Sequence, residues 1–308
     1  MSWFFFALGT MILWGVADLF YKKGADPSDR YSHLKTVIAV GVVMGLHAIF
    51  TLIISGVQYD FINLLIYLPV SLMYILSMAV GYFGLRYLEL SISSPVQNSS
   101  GAIVCILCLI FLKQTMDIPV AVAVAVMCIA IIVLGVFEKK EANMLKSAGD
   151  EHYRRGFIAF FMPIIYCILD ALGTFFDAWY LDNPETSPLV GVTEDNIETI
   201  ANSSYELTFL FAAIVAFIFI KFIKKEKYTV KDIRPARILA AIFETGGQLM
   251  YVYAMSGNSV VAAPMVAAYS IVAMILSRIF LKEKLKVGQY ICIIFVMLGI
   301  IVLGIYDI

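Results

Sequence analysis

The pentapeptide Ile-Ile-Val-Leu-Gly occurs twice in this chain, at residues 131–135 and again at residues 300–304. The same offset of 169 residues carries the tripeptide Phe-Leu-Lys at 111–113 onto Phe-Leu-Lys at 280–282. Both copies lie in long apolar runs, which indicates that the repeat unit is a membrane-embedded half of the protein. A duplicated membrane half is typical of transporters.

The composition is that of a polytopic membrane protein, with 61% apolar residues, 15% charged residues and a mean hydropathy of +0.89. A helix needs about 20 apolar residues to cross about 30 Å of hydrocarbon. Ten stretches of that length are predicted as spans, at 3–21, 34–56, 62–87, 92–112, 118–137, 156–180, 200–222, 238–256, 260–281 and 287–306.

Five spans in each copy is an odd number, so the second copy enters the membrane from the opposite side to the first. The sequence therefore predicts an all-α polytopic membrane protein whose ten transmembrane helices form two inverted repeats of five. The first repeat covers residues 1–137 and the second covers 156–308, and a cytoplasmic linker at 138–155 joins them.

Basic residues are distributed unevenly between the two sides. The loops after the odd-numbered spans, with the adjoining helix ends, hold 21 of the 22 Lys and Arg residues, and the other side holds only Lys113 and the acidic stretch 182–198. Because Lys and Arg are retained on the cytoplasmic side, we expect the basic loops in the cytoplasm and both termini outside. The predicted location is the plasma membrane.

Two predicted spans carry similar short motifs, one near the start of each span and one at its end. Ser94-Pro95 and Ala263-Pro264 stand early in the fourth and ninth spans, and Phe-Leu-Lys followed by Gln114 or Glu283 ends them. These motifs resemble the EamA type of the drug/metabolite transporter superfamily, although Gln114 stands where such proteins usually have Glu. The resemblance implies a central cavity lined by the first, third, fourth, sixth, eighth and ninth spans.

Acidic residues dominate the charged positions inside the predicted spans, namely Asp18, Asp170, Asp177, Glu206 and Glu244. A charge in hydrocarbon costs at least about 2.5 to 3.5 kcal/mol, so such residues are functional candidates. Asp170 lies about 21 Å from the start of its span at helical rise, close to the midplane. Asp177 is interpreted as a solvated residue near the outer interface.

The in-span basic residues have a simpler interpretation. Arg86 and Arg278 lie a turn or two from the basic side, and we expect them to be interfacial anchors.

Aromatic and polar side chains share helix faces with these acids, as in the i, i+4, i+7 spacing of Glu244, Gln248 and Tyr251. A ring face attracts a cation while a carboxylate supplies the opposite charge, which suits an ammonium group. The predicted substrate-binding residues are Trp14, Asp18, Tyr74, Met78, Tyr166, Asp170, Glu244, Gln248, Tyr251 and Tyr269.

A buried acid can also carry protons. Asp170, Glu244 and His47 are the candidates, although a lone His on an apolar helix is more often structural. The Cys105-x-x-Cys108 pair is interpreted as packing, and we expect no metal, no cofactor and no nucleic-acid partner. No phosphate-binding loop or familiar hydrolase motif is present, so we expect a protein that is not an enzyme and is driven by gradients.

The predicted function is secondary active transport of a small polar metabolite by alternating access. An organic cation or a zwitterion, such as an amine or an amino acid, is the predicted substrate, with a proton as a candidate coupling ion. Two alternatives remain open: a flippase for a lipid or lipid-linked sugar on the same fold, and a proton-coupled exporter of neutral metabolites.

Overall fold

The computed structural model describes residues 2–86, 90, 97–147, 156–226, 228–229 and 232–307, with side chains at 2–86, 90, 97–134, 161–226, 228–229 and 232–306. The predicted turn at Ser94-Pro95 lies outside the described residues.

The described chain is a succession of helices joined by short loops. The helices are α1 (Trp3–Gly24), α2 (Ser32–Ser55), α3 (Ile62–Ile66), α4 (Leu68–Gly84), α5 (Ser100–Leu107), α6 (Ile118–Ser147), α7 (Gly156–Asp182), α8 (Ile197–Ile218), α9 (Pro235–Ala267), α10 (Tyr269–Leu276) and α11 (Val287–Asp307). The residues described contain no strand, and the predicted all-α class is confirmed.

Within the described part of the chain, six helical segments are long and apolar enough to cross a membrane, and three shorter apolar helices accompany them, at Leu68–Gly84, Ser100–Leu112 and Ile118–Leu134. One of the six is a continuous stretch of 47 residues at 235–281. A straight helix of that length would extend about 70 Å at about 1.5 Å per residue, more than twice the thickness of the hydrocarbon core. Its helical backbone is interrupted at Asn258 (φ −166°, ψ 78°), inside the predicted gap between the spans at 238–256 and 260–281.

The offset of 169 residues recurs in the backbone. Single π-helical turns occupy Cys108–Leu112 and Ser277–Leu281, each at the end of a short helix. Lys113 and Lys282 follow them with positive φ angles of 54° and 59°. A left-handed residue ends a helix and turns the chain sharply. The repeated sequence therefore specifies the same local stop in both halves.

Helices of residues 1–147 pack against helices of residues 156–307, with α1 against α9, α2 against α8, α4 against α7 and α6 against α11. Gly41 permits the α2–α8 approach, because a Cβ there would lie 2.3 Å from the carbonyl oxygen of Phe209. Helices α6 and α11 expose large apolar side chains such as Ile118 and Phe295, as lipid-facing helices do.

Basic side chains gather at one end of the bundle, here called the basic end, which holds Lys22 and Arg86. The Lys22 ammonium donates to the carbonyl of Leu85 at 3.0 Å, which ties α1 to the residue after α4. The Arg86 guanidinium donates to the carbonyls of Asp26, Pro27 and Arg30. Arg86 is only 4% exposed, so its prediction as an interfacial anchor was wrong. Its neighbours are loop carbonyls, which a sequence pattern does not reveal.

The opposite end, here called the acidic end, holds Asp60 and Asp182. Gln114, two residues after the first π-helical turn, donates to Asp182 Oδ1 at 2.7 Å. Its Oε1 accepts from Ser259 Oγ at 2.9 Å and from the backbone N–H of Val260 at 3.1 Å. One side chain therefore links the two halves at the point where the long α9 helix is broken.

Candidate functional site

A cavity lies at the centre of the bundle, between α1, α4, α5, α7, α8, α9 and α10. About 60 Å³ of it is open to water-sized molecules. Since about 10–15 Å³ of such space holds one water, the cavity accommodates only a few water molecules in this conformation.

The cavity brings together every residue predicted to bind substrate. All ten, from Trp14 and Asp18 on α1 to Tyr269 on α10, belong to its lining. Helical spacing explains this result, because residues separated by three, four or seven positions share one face. Their role in substrate binding stays a prediction.

Three carboxylates line the cavity, Asp18, Asp170 and Glu244, each on a different helix. Ser100 on α5 donates to Asp170 Oδ2 at 2.7 Å and holds that carboxyl towards the centre. Glu244 is 8% exposed and lies within electrostatic range of both other acids. The part of the lining that the structure describes contains no Lys, Arg or His.

Aromatic rings form a wall beside these acids. The Trp14 ring centroid lies 5.1 Å from that of Tyr251, and it meets Tyr269 edge-on at 5.7 Å. The Trp14 indole N–H donates to the carbonyl of Glu244 at 3.2 Å, which fixes the ring orientation. Gly247 makes room for the ring, because a Cβ there would lie 2.4 Å from Trp14 Cδ1.

A cluster of hydroxyl groups bounds the cavity towards the acidic end. The hydroxyls of Tyr74 and Tyr251 are hydrogen-bonded at 2.7 Å, and Tyr74 also donates to Thr174 Oγ1 at 3.1 Å. These three residues come from α4, α7 and α9. The cluster therefore ties three helices together in the membrane interior.

Asp177 lies one turn beyond Thr174 on α7 and is fully buried, at 0% exposure. Its Oδ1 accepts a hydrogen bond from the Tyr67 hydroxyl. The prediction that Asp177 is solvated at the interface was wrong. Position along a helix gave its depth, but the packing of α4 against α7 removes it from water.

Donors without partners face the other side of the cavity. The Tyr21 hydroxyl, the Tyr82 hydroxyl and Gln97 Nε2 are buried and make no hydrogen bond of good geometry with a described residue, although Tyr21 lies beside Tyr82 and Glu244. All three residues line the cavity, and the two tyrosine rings lie 4.5 Å apart. A buried donor without a partner is costly, so these groups are available to a ligand or to water.

His47 does not reach the cavity. Its Nδ1 lies 2.8 Å from Glu206 Oε2, so that α2 and α8 are joined by a buried carboxylate and a half-buried imidazole. The other two proton-carrier candidates, Asp170 and Glu244, do line the cavity. A partner 159 residues away could not be identified from helical spacing.

Sequence reasoning missed several polar residues of the lining. Gln97, Asn98 and Ser100 stand where α5 begins, and Tyr205 approaches from α8. The run of four polar residues at 97–100 inside an apolar span was the available signal. Cys105 and Cys108 are free and buried, and the residues that the structure describes include no group of His, Cys, Asp and Glu able to hold a metal ion.

Part of the chain matches a known protein family. The family model of the EamA-like transporter family matches residues 199–305. This segment belongs to the EamA-like transporter family. The family predicted from the sequence motifs, within the drug/metabolite transporter superfamily, is thereby confirmed, and the match includes Glu206, Glu244 and the second Phe-Leu-Lys motif. The chain is a multi-pass membrane protein, and its segment 199–305 matches a family of membrane transporters.

Solved structures of other proteins share the fold of this chain, and 27 of their chains match it. One, titled only "Crystal structure of protein", has a TM-score of 0.64 at 11% identity, over 98% of this chain and 97% of that chain. At this identity the likeness concerns the fold alone. No curated protein matches the sequence.

Proposed function

We propose that this EamA-like protein is a secondary active transporter of a small zwitterion or organic cation, such as an amino acid or an amine, in the plasma membrane. The observation that carries the proposal is the cavity lining, in which three carboxylates lie among aromatic rings and no basic side chain is found among the described residues.

Charge selects the substrate class. Carboxylates in the membrane interior are costly without a positive partner, by at least about 2.5 to 3.5 kcal/mol each on the lenient insertion scale. An ammonium group supplies that partner at Asp170 or Glu244. The faces of Trp14 and Tyr251 add a cation–π attraction, worth about 2 kcal/mol in a desolvated site.

The donors without partners favour a zwitterion over a simple amine. Tyr21, Tyr82 and Gln97 present two hydroxyls and an amide N–H₂ to the cavity, and none of these groups makes a hydrogen bond of good geometry with a described residue. A substrate that carries carboxylate or carbonyl oxygens as well as an ammonium group satisfies both sets. A phosphate-bearing lipid lacks the basic partners that this lining would need.

The small size of the cavity supports alternating access. Lys22 bonded to Leu85 closes one end, and Gln114 bonded to Val260 closes the other. A substrate larger than a few waters requires these contacts to open in turn. Under the proposal, the ten spans form two inverted repeats of five, and these repeats supply one gate at each end of the cavity. The gates open as α4 and α7 move against α1 and α9.

A thermal-shift screen of the purified protein tests the substrate class. Amines, amino acids, nucleosides and sugars are compared, because a ligand that binds only the folded state raises its apparent stability. We expect amino acids or amines to stabilise the wild type and to have no effect on Asp170→Asn. Asp182→Asn, an exposed acid on the same helix, is the matched control and should respond as the wild type does. Stabilisation by sugars or nucleosides alone would contradict the proposal.

Spin labels test the transport mechanism. One pair joins α1 to α4 at the basic end, and a second pair joins the loop at 113–117 to α9 at the acidic end. Substrate should change the two distances in opposite directions. If substrate changes both distances in the same direction, the result would indicate dilation of a channel instead.

A further inference from the structure

Asp177 is the most deeply buried carboxylate on α7 and lies outside the cavity lining, at 0% exposure. Tyr67 donates to its Oδ1, whereas its Oδ2 makes no hydrogen bond of good geometry with a described residue. None of the salt bridges in the described part of the chain includes Asp177. The hydroxyls of Tyr74 and Tyr251 lie close enough to its carboxyl group to bond to it, so hydroxyls are the groups that face Asp177.

Among the residues that the structure describes, the surroundings of Asp177 contain hydroxyl groups and another acid but no cation. The titratable groups that approach it from the packed helices in this part of the chain are all tyrosines, and the nearest acid on its own helix that lines the cavity is seven residues away. These groups are Tyr67 and Tyr74 on α4, Tyr205 on α8, Tyr251 on α9 and Asp170 on α7.

The lack of space around Asp177 limits what it can bind. An ammonium group or a hydrated metal ion needs volume beside the carboxylate, and a side chain at 0% exposure provides none. A proton needs no volume. Binding of a proton also removes a charge that would otherwise be buried without a cationic partner among the described residues, which costs several kcal/mol for a real buried ion.

The cavity and Asp177 are separated by one layer of hydroxyls. Tyr74, Thr174 and Tyr251 are hydrogen-bonded to one another, and all three line the cavity. Tyr74 and Tyr251 also lie within electrostatic range of Asp177 on the other side. Each hydroxyl can both accept and donate, so the cluster can pass a proton.

We propose that Asp177 is a proton-binding site distinct from the substrate cavity, and that it exchanges protons with cavity water through the hydroxyls of Tyr74, Thr174 and Tyr251. The carboxylate gains one proton at Oδ2 and returns the same proton to water, with no other bond formed or broken. The use of this proton for coupling rests on the proposed transport function, whereas the binding site does not. The cavity acids Asp170 and Glu244 then remain available for the substrate.

Infrared spectroscopy of the protein in liposomes tests the site without any substrate. A protonated carboxyl group has its own carbonyl band, and the probe is the proton alone, supplied by titration of pH. We expect the wild type to show a band that Asp177→Asn lacks and that Asp182→Asn keeps. Persistence of the full band in a folded Asp177→Asn variant, or no such band in the wild type, would overturn the proposal.

Exchange into heavy water tests the path. The carboxyl band shifts when deuterium replaces the proton, and the rate of this shift reports access to water. Tyr251→Phe and Thr174→Val should slow the shift. Tyr205→Phe is the matched control, because its hydroxyl donates to Met78 Sδ at 3.3 Å and is not part of the cluster. Equal rates in all variants would refute the path. A screen in which no ligand stabilises the protein would instead refute the transport proposal alone.

Discussion

Gln114 Oε1 accepts the backbone N–H of Val260 at 3.1 Å, where the long α9 helix is broken at Asn258. A related contact exists 169 residues along the chain, where Glu283 Oε1 accepts the backbone N–H of Leu90 at 3.3 Å. In each case the residue after a Phe-Leu-Lys motif binds a backbone donor of the other half. At both copies of the motif, a hydrogen bond therefore links residues 1–137 to residues 156–308.

Gln is suited to position 114 because its amide both accepts and donates. Its oxygen serves Ser259 and Val260, while its nitrogen donates to Asp182 at 2.7 Å. A Glu would keep the acceptor but would face the Asp182 carboxylate. The departure from the family pattern at this position thus matches its local partner.

Substitution of Gln114 separates these two roles. Gln114→Ala removes both hydrogen-bonding groups and should lower the free energy of unfolding by about 1 to 3 kcal/mol, because the partners lose their bonds. At neutral pH, Gln114→Glu should lower the free energy of unfolding by less than Gln114→Ala does. The addition of Asp182→Asn to Gln114→Glu should restore part of that loss. Thermal unfolding in detergent measures both effects. If the Glu variant is unaffected by Asp182→Asn, the pairing with Asp182 contributes nothing.

The distribution of charges predicts the orientation of the chain. Glu185 at the acidic end and Lys224 on the basic side are both exposed. A cysteine in place of Glu185 should react with an impermeant thiol reagent in intact cells, and one in place of Lys224 should react only after lysis. The five native cysteines are buried or half-buried, so the background is low. The reverse pattern would invert the topology and the side from which each gate opens.

Arg86 should matter as a loop anchor and not as a lipid contact. Its guanidinium reaches the carbonyls of Asp26, Pro27 and Arg30, a spread that a lysine ammonium cannot cover. Arg86→Lys should lower the free energy of unfolding by about 1 to 3 kcal/mol. Arg278→Lys is the control, because Arg278 is exposed and has a weak bond of 3.4 Å to the carbonyl of Glu283. Equal effects of the two substitutions would contradict the anchoring role.

The fold class was accessible from sequence because apolar runs of membrane length are long and unambiguous. The break at Asn258 was predicted only as a gap between two spans, because neither Gly nor Pro stands at that residue. The π-helical turns were not predicted. They depend on how the last turn before Lys113 and Lys282 packs, which residue spacing does not specify.

The cavity lining was accessible because helical periodicity fixes which residues share a face. The contacts between side chains on different helices could not be predicted from the sequence. Position within the spans predicted the depths of Asp177 and His47, but their partners Tyr67 and Glu206 lie 110 and 159 residues away along the chain. Burial of Asp177 therefore depends on a contact between helices that only the assembled fold contains.

Adjacent glycines on α9 offer a matched pair for testing the aromatic wall. A Cβ at Gly247 would lie 2.4 Å from Trp14 Cδ1, whereas a Cβ at Gly246 would lie 3.5 Å from Leu13 Cδ1, an ordinary contact. Gly247→Ala should therefore displace the Trp14 ring from the cavity and lower the free energy of unfolding by about 1 to 3 kcal/mol. Gly246→Ala should be neutral or stabilising by up to about 1 kcal/mol, because Ala favours helix.

The same pair distinguishes packing from substrate recognition. If Trp14 contacts the substrate, Gly247→Ala should lose stabilisation by ligand, and Gly246→Ala should keep it. The fluorescence of Trp14, with Trp3 and Trp179 replaced by Phe, reports whether the ring has moved. A displaced ring with unchanged ligand response would remove Trp14 from the site and leave the acids and Tyr251 as its cation-binding part.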